Sequence, residues 1–139
     1  MPRTGALLSL SREHHVALVM ARTARRAASE NENDVMARSA AMTAAVASIE
    51  AHWHTSMAAH FEKEERLMRI ARDTLDPQTV TRILAEHAEL RILAAGPCAL
   101  EPAARLRRFA DLISAHVRHE ERTLFPQLQS HPCVADADS

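Results

Sequence analysis

Apolar residues recur at steps of three and four along four stretches of the chain, which is the spacing of one face of an α-helix. The first predicted helix covers about residues 10–28, with Ser9 or Ser11 as its N-cap. Its inward stripe consists of Leu10, His14, Leu18 and Ala21. The second predicted helix begins at Asp34 and runs without Gly or Pro to about residue 71. Its stripe consists of Met42, Val46, Ile49, Trp53, Met57, His60, Glu64 and Leu67.

Prolines mark the starts of two further predicted helices. Asp76 and Pro77 give an N-cap followed by a proline in the first turn, and Gly96-Pro97 ends that helix. Its stripe consists of Val80, Ile83, Leu84, His87, Leu90 and Ala94. Pro102 opens the fourth helix, and Pro126 is expected to kink or shorten its end. The fourth stripe consists of Leu106, Phe109, Leu112, Ile113, His116, Glu120, Leu124 and Leu128.

These stripes predict an all-α fold. The 139 residues include 2 glycines and no tyrosine, and this composition favours helices over strands. Short connections between amphipathic helices favour an antiparallel up-down-up-down four-helix bundle, here built from a duplicated helical hairpin. We expect the bundle to cover residues 1–130 as one domain and residues 131–139 to form a disordered tail.

Charge and hydropathy exclude several classes of function. The formal net charge is −1, so the chain lacks the basic surface that nucleic-acid binding requires. No apolar stretch reaches membrane-spanning length and no signal peptide is apparent, so we predict no membrane association and a cytoplasmic location. Cys98 and Cys133 are too few and too far apart for a sulfur metal site, and we expect both to be reduced thiols.

Histidine is the unusual component of the composition, with 9 residues in this small chain. Each of the four stripes carries one histidine, namely His14, His60, His87 and His116. Four inward imidazoles are costly unless something binds them, because a buried polar group without a partner costs about 1–3 kcal/mol. The chemistry of this protein is therefore expected at the level of these histidines.

The histidines also belong to an internal repeat. The second and fourth helices match as His60-x-x-x-Glu64-Glu65-Arg66 and His116-x-x-x-Glu120-Glu121-Arg122, and the first and third share Glu13-His14 and Glu86-His87. Residues four apart lie one helical turn apart on nearly the same face, so each His-x-x-x-Glu pair offers a nitrogen and an oxygen to the seam. Imidazole with carboxylate suits iron, manganese or zinc, and bundle cores hold such ions in pairs.

The metal-ligand candidates are His14, His60, Glu64, His87, His116 and Glu120. His15 competes with His14, and the stripe with Leu10 favours His14. Glu121 competes with Glu120, and the internal repeat favours Glu120. His52 and His54 are expected at the surface or next to the site rather than as ligands, and His119 and His131 are expected to be solvated. Glu62, Glu65 and Glu121 are expected to face solvent, with Glu65 and Glu121 as candidates for bonding the ligands.

Taken together, these motifs resemble the hemerythrin-like (HHE) cation-binding family. The resemblance rests on Glu13-His14, His60-x-x-x-Glu64-Glu65, Glu86-His87 and His116-x-x-x-Glu120-Glu121 with Leu124-Phe125-Pro126, in this order over about 120 residues. It implies a non-haem di-iron centre, with two iron ions held by the six candidate ligands. It also implies a small diatomic or peroxide ligand and roles in oxygen or nitric oxide binding, sensing, iron handling or peroxide removal.

Two positions depart from the pattern of the oxygen-carrying members. Those carriers have a histidine four residues after the one on the third helix, where this chain has Arg91. They also use an acidic residue five after the histidine of the fourth helix, which here is Glu121. Both departures count against reversible oxygen carriage and favour the broader bacterial type of site.

Three functions are consistent with the sequence. The first is a di-iron protein that binds or senses oxygen, nitric oxide or peroxide, or handles iron, without dedicated catalytic residues. The second is a di-iron oxidative or peroxide-consuming enzyme, which is less favoured because no Glu-x-x-His pair and no tyrosine occur. The third is a metal-free helical interaction module. The oligomeric state stays open, with a homodimer as one option.

Overall fold

The computed structural model describes Arg3, residues 5–29 and residues 34–135. Within this part of the chain all regular structure is helical, and no strand occurs. The α-helices are α1 (Gly5–Ser29), α2 (Val35–His52), α3 (Ala58–Ile70), α4 (Pro77–Ala94), α5 (Pro102–His119), α6 (Phe125–Gln129) and α7 (Pro132–Ala135). The prediction of an all-α fold is confirmed.

Helix α1 begins earlier than predicted. Its first residue is Gly5, whose φ of 57° lies in the left-handed region that glycine tolerates. The predicted cap Ser11 lies inside the helix, where its hydroxyl donates to Glu121 at 2.8 Å. At the other end, Arg38 and Arg107 donate to the carbonyl of Ala28, so side chains from two other helices satisfy the end of α1. Residues 30–33, which follow the predicted end of this helix, lie outside the described residues.

The predicted second helix is continuous in the structure, but its hydrogen-bonding pattern changes locally from α to π. Asp34 caps α2 by accepting from the backbone N–H groups of Met36 and Ala37. Between α2 and α3, Trp53–Met57 forms a π-helical turn in which the Ala58 N–H donates to the Trp53 carbonyl. A π-helical turn inserts one extra residue into a helix, and such turns are frequent at functional sites.

Helices α4 and α5 both start at the predicted prolines. Asp76 caps α4 by accepting from the backbone N–H of Thr79. A second π-helical turn, Glu120–Leu124, joins α5 to α6 without a break. Pro126, which was expected to kink or shorten the helix, lies in the first turn of α6, directly after this π-helical turn.

Two apolar clusters form the core and are separated by a layer of buried polar side chains. Members of one cluster include Ala17, Met57, Phe61, Leu90, Phe109 and Ile113. Members of the other include Leu10, Leu67, Ile83, Leu124 and Phe125. Helices α1, α3, α4 and α5 each carry one buried histidine in this polar layer. Helix α1 packs mainly against α5 and α2, and α4 packs against α5 and α3.

Two positions of the predicted stripes face solvent instead of the core. Leu18 is 36% exposed and Leu84 is 43% exposed. Ala17 and Leu93 are buried in their helices. The sequence pattern chose Leu18 over its neighbour Ala17, which the helix turns inward, and it included Leu84 beside Ile83, which is fully buried.

The segment after residue 130, expected to be a disordered tail, begins with the short helix α7. Val134 is buried and belongs to the second apolar cluster. Residues 136–139 lie outside the described residues. Among the helices that the structure describes, none combines the length and apolar character needed to cross a bilayer.

Candidate metal centre

The six predicted ligand residues meet in the polar layer between the two apolar clusters. They form two groups whose nitrogen and oxygen atoms lie within 4.8 Å of one another, and all six residues are buried. The first group is His14, His60, Glu64 and Glu120, and the second is Glu64, His87, His116 and Glu120. Both groups share the same two carboxylates.

Glu64 divides its two oxygens between the groups. Its Oε2 lies 3.0 Å from His60 Nε2 and 3.5 Å from His14 Nε2. Its Oε1 lies 3.0 Å from His87 Nε2. One oxygen therefore faces each group, so this carboxylate could offer a ligand atom to both groups.

Glu120 is placed in the same way on the opposite helix. Its Oε1 lies 2.9 Å from His14 Nε2, and its Oε2 lies 3.1 Å from His116 Nε2 and 3.6 Å from His87 Nε2. The repeat thus produces two equivalent carboxylates with two imidazoles on each side.

An outer ring of four carboxylates holds the histidines from behind through their Nδ1 atoms. The four pairs are Glu13–His60, Glu65–His87, Glu86–His116 and Glu121–His14, with oxygen–nitrogen distances of 3.0, 2.8, 2.7 and 2.7 Å. Each pair joins two different helical segments, and the four pairs close a circle around the centre. Such carboxylates orient metal-binding imidazoles and increase their basicity.

Two members of this ring were noted as candidates for bonding the ligands, and two were missed. Glu65 and Glu121 follow the inner glutamates directly in sequence. Glu13 and Glu86 had been noticed as part of the repeat, but no role was assigned to them. The repeated Glu-His dipeptide was the available signal, and it was hard to use because each glutamate bonds a histidine on another helix.

Aromatic rings fix two of the imidazoles further. Phe61 stacks on His87 with ring centres 3.9 Å apart, and Phe125 stacks on His14 with centres 5.1 Å apart. Phe125 reaches this position directly after the π-helical turn that starts at Glu120. These contacts restrict rotation of the two rings, so their Nε2 atoms stay directed at the carboxylates.

The carboxylates strongly favour the protonated form of the histidines. Burial opposes the charge on each ring, but hydrogen bonds and charge interactions with the glutamates outweigh it. They raise the pKa of His14 to about 11, that of His60 to about 9 and that of His87 to about 10. The pKa of His116 is also raised, mainly by Glu120.

The inner carboxylates are ionised for the same reason. Burial alone would favour the neutral acid, but His116, His14 and His87 hold the pKa of Glu120 well below its usual range. The pKa of Glu64 is lowered as well, because His60 and His14 outweigh its burial and the charge of Glu120.

The donor set fits a pair of cations. His116 Nε2 and Glu120 Oε2 are buried and have no hydrogen-bond partner among the described residues, although the two atoms lie close together. A buried polar atom without a partner costs about 1–3 kcal/mol, and a cation between these atoms would satisfy both. Nitrogen and oxygen donors of this kind suit iron, manganese or zinc.

A narrow cavity reaches the centre from one side. It lies between α1, the first π-helical turn, α3 and α5, and its free volume of about 10 Å³ matches one water-sized molecule. Three of the four histidines line it, namely His14, His60 and His116. Arg91, at the position where oxygen carriers have a further histidine, instead lies over the ring of Trp53 at 5.3 Å.

The remaining histidines lie outside the two groups. His15 is exposed, and His54 Nε2 lies 2.9 Å from the carbonyl of Ala95. His52 lines the cavity, and His119 is partly buried beside the centre. His131 accepts from the Cys133 backbone N–H at the start of α7.

The comparison with protein families agrees with this geometry. The family model described as Hemerythrin HHE cation binding domain matches residues 7–128. The chain therefore belongs to the hemerythrin HHE cation-binding domain family, as the sequence motifs indicated. Searches of curated proteins and of solved structures gave no match.

Proposed function

We propose that this chain is a non-haem di-iron protein whose two iron ions are held by His14, His60, Glu64, His87, His116 and Glu120. The observation that supports the proposal is the sharing of Glu64 and Glu120 between the two donor groups, with one oxygen directed to each. Two separate single-ion sites would have no need for carboxylates placed between them.

The chain's own residues would supply a closed, oriented and negatively charged cage. The two inner carboxylates offset part of the charge of two divalent ions, and the outer carboxylates hold the imidazoles in place. Apolar clusters on both sides keep bulk water away from the centre. Bound iron would supply redox chemistry and coordination positions for a small molecule.

We propose oxygen, nitric oxide or peroxide as the class of molecule that this centre binds, in a sensing, storage or redox role. The volume of the cavity and its contact with three histidines support this proposal. Arg91 beside Trp53 supports a role other than reversible oxygen carriage, since it leaves one side of the centre without a fifth imidazole.

Metal analysis tests the proposal directly. Protein produced in iron-replete cells should carry about two iron ions per chain, with Glu64→Ala and Glu120→Ala losing metal to a similar extent. Glu62→Ala is the matched control, because Glu62 is exposed on the same helix as Glu64. One zinc ion per chain, or no metal at all, would contradict the di-iron proposal. Metal loss in Glu121→Ala but not in Glu120→Ala would contradict the choice of ligands.

We also propose an antiparallel up-down-up-down order of the helices, a cytoplasmic location and no nucleic-acid partner. A homodimer is the assembly to test. The formal net charge of −1 supports the absence of a nucleic-acid partner. Light scattering of the iron-loaded protein measures its molar mass and distinguishes one chain from two.

A further inference from the structure

A larger cavity between α3 and α4 lies apart from the narrow one that reaches the centre. Its free volume of about 340 Å³ falls in the range of sites for small organic molecules, about 300–1,000 Å³. Its lining combines three apolar with three charged side chains, namely Met68, Val80, Leu84, Glu65, Arg69 and Arg72. The two cavities have no lining residue in common. None of the six candidate metal ligands lines the larger one.

The apolar side of this cavity is covered in one half of the repeat and open in the other. When the histidines of α1 and α4 are aligned, Val80 and Leu84 correspond to Leu7 and Ser11. Leu7 is buried, and Ser11 bonds Glu121. Val80, by contrast, is only partly buried, and Leu84 is 43% exposed. On α4 the repeat therefore leaves two apolar side chains at the surface of a concave site.

The two guanidinium groups of the cavity lack an acidic partner. Arg69 and Arg72 are exposed, and their side chains make no hydrogen bond or ion pair within the described part of the chain. Arg69 lies four residues after Glu65, which is the spacing of an ion pair on a helix. The Glu65 carboxylate instead bonds His87 on the neighbouring helix at 2.8 Å. Two cations and one anion thus line the cavity, with one positive charge in excess.

The equivalent carboxylate of the other half has both a cation and an apolar cover from the chain itself. Glu121 lies 3.6 Å from the guanidinium group of Arg3, and Arg3 lies over the ring of Phe125 at 5.7 Å. Beside Glu65 the chain supplies cations, but the apolar surface between them is not covered. A molecule that carries both an anionic group and an apolar body would complete this side.

We propose that the cavity between α3 and α4 binds a small carboxylate with an apolar body. The carboxylate group pairs with the two arginines, because a guanidinium group binds carboxylates through two parallel hydrogen bonds. The apolar body lies against the three apolar side chains and removes them from water. Since Glu65 adds a negative charge to the lining, a head group with one charge fits better than a doubly charged phosphate.

Titration calorimetry of the unmodified protein with octanoate measures this binding at pH 7.5. We expect about one octanoate per chain. Octanol has the same body without the charge and should bind at least about 5-fold more weakly, the effect of one surface ion pair. Acetate has the charge without the body and should bind more than about 100-fold more weakly, because it lacks most of the buried methylene groups.

Variants of the lining locate the site. Arg69→Gln, Arg72→Gln and Leu84→Asn should each weaken octanoate binding about 5-fold, since each removes one ion pair or part of the apolar wall. The matched controls are Arg66→Gln and Ile92→Asn, at exposed positions of the same two helices outside the cavity. Both controls should bind octanoate as the unmodified protein does.

Absence of octanoate binding, or equal affinities for octanoate and octanol, would overturn the proposal. Unchanged affinity in the three lining variants, or an equal loss in the two controls, would overturn the location of the site. Tighter binding of octyl phosphate than of octanoate would overturn the choice of a carboxylate. All titrations use protein of the same measured iron content, so their outcome is separate from the test of the di-iron proposal.

Discussion

Loading of the metal-free centre should release about three to four protons per chain at pH 7.5. Metal ions bind neutral imidazole, so any proton on Nε2 must leave when the ion arrives. Burial of the imidazoles lowers their pKa, but the carboxylates outweigh it and raise the pKa of His14, His60 and His87 to about 11, 9 and 10. The pKa of His116 is also raised. The perturbation to apply is therefore addition of two equivalents of ferrous iron to chelated protein.

The expected number follows from these pKa values. A histidine with a pKa of about 9 is about 97% protonated at pH 7.5, and those with higher values are almost fully protonated. Four histidines with the ordinary pKa of 6.5 would together carry only about 0.4 of a proton at the same pH. The two cases differ by close to tenfold.

Isothermal titration calorimetry under anaerobic conditions measures the number of protons released. Repeating it at pH 7.5 in two buffers of different ionisation enthalpy gives the protons released per chain. His15→Ala is the control, because this exposed histidine lies outside both donor groups and its loss should not change the count. Release of less than one proton per chain, with two ions bound, would refute the ion-pair arrangement of the metal-free centre.

Three further predictions concern stability and affinity. Histidines with a raised pKa stabilise the fold fully below pH 6.5, and this stabilisation is lost as the pH rises through 9 to 11. The melting temperature of chelated protein should therefore fall as the pH is raised from 6.5 to 9.5. A melting temperature that rises over this range would contradict the raised pKa values. Glu65→Ala removes the carboxylate behind His87 and should lower iron affinity about 10- to 100-fold in a competition titration, whereas Glu62→Ala should not. Arg105→Met removes hydrogen bonds to two carbonyls at the end of α4 and should lower the free energy of unfolding in urea by about 2–3 kcal/mol. Arg108→Met, at an exposed position, should lower it by less than about 1 kcal/mol. Equal losses in the two variants would refute the role of Arg105.

The proximity of the inner candidate residues could be predicted because two independent patterns agreed on the same residues. Helical spacing placed His60 and Glu64 on one face, and the repeat placed His116 and Glu120 on an equivalent face. All four residues are buried in the structure, in agreement with this reasoning. The stripe of the first helix favoured His14 over His15, and in the structure His14 is buried whereas His15 is exposed.

The surroundings of the site could not be predicted in the same way. The outer pairs, such as Glu13 with His60, cross from one helix to another, and helical periodicity contains no information about which neighbours meet. The π-helical turns were also missed, because an inserted residue changes the phase of a helix without any marker in composition. Glutamates face the Nε2 atoms of His14, His60 and His87, whereas Nε2 of His116 has no hydrogen-bond partner among the described residues.

The circle of outer pairs has a consequence for the order in which the molecule is made. His14 obtains its carboxylates from Glu120 and Glu121, the latter 107 residues further along the chain. Contacts of such separation form only after a large loop has closed, and they depend on residues synthesised long after His14. In a growing chain the imidazole of His14 is therefore present before either of these two carboxylates. Binding of a metal ion by all six candidate ligands would therefore have to follow synthesis of α5 and the second π-helical turn, and loss of these two segments would remove His116 and Glu120 from the centre.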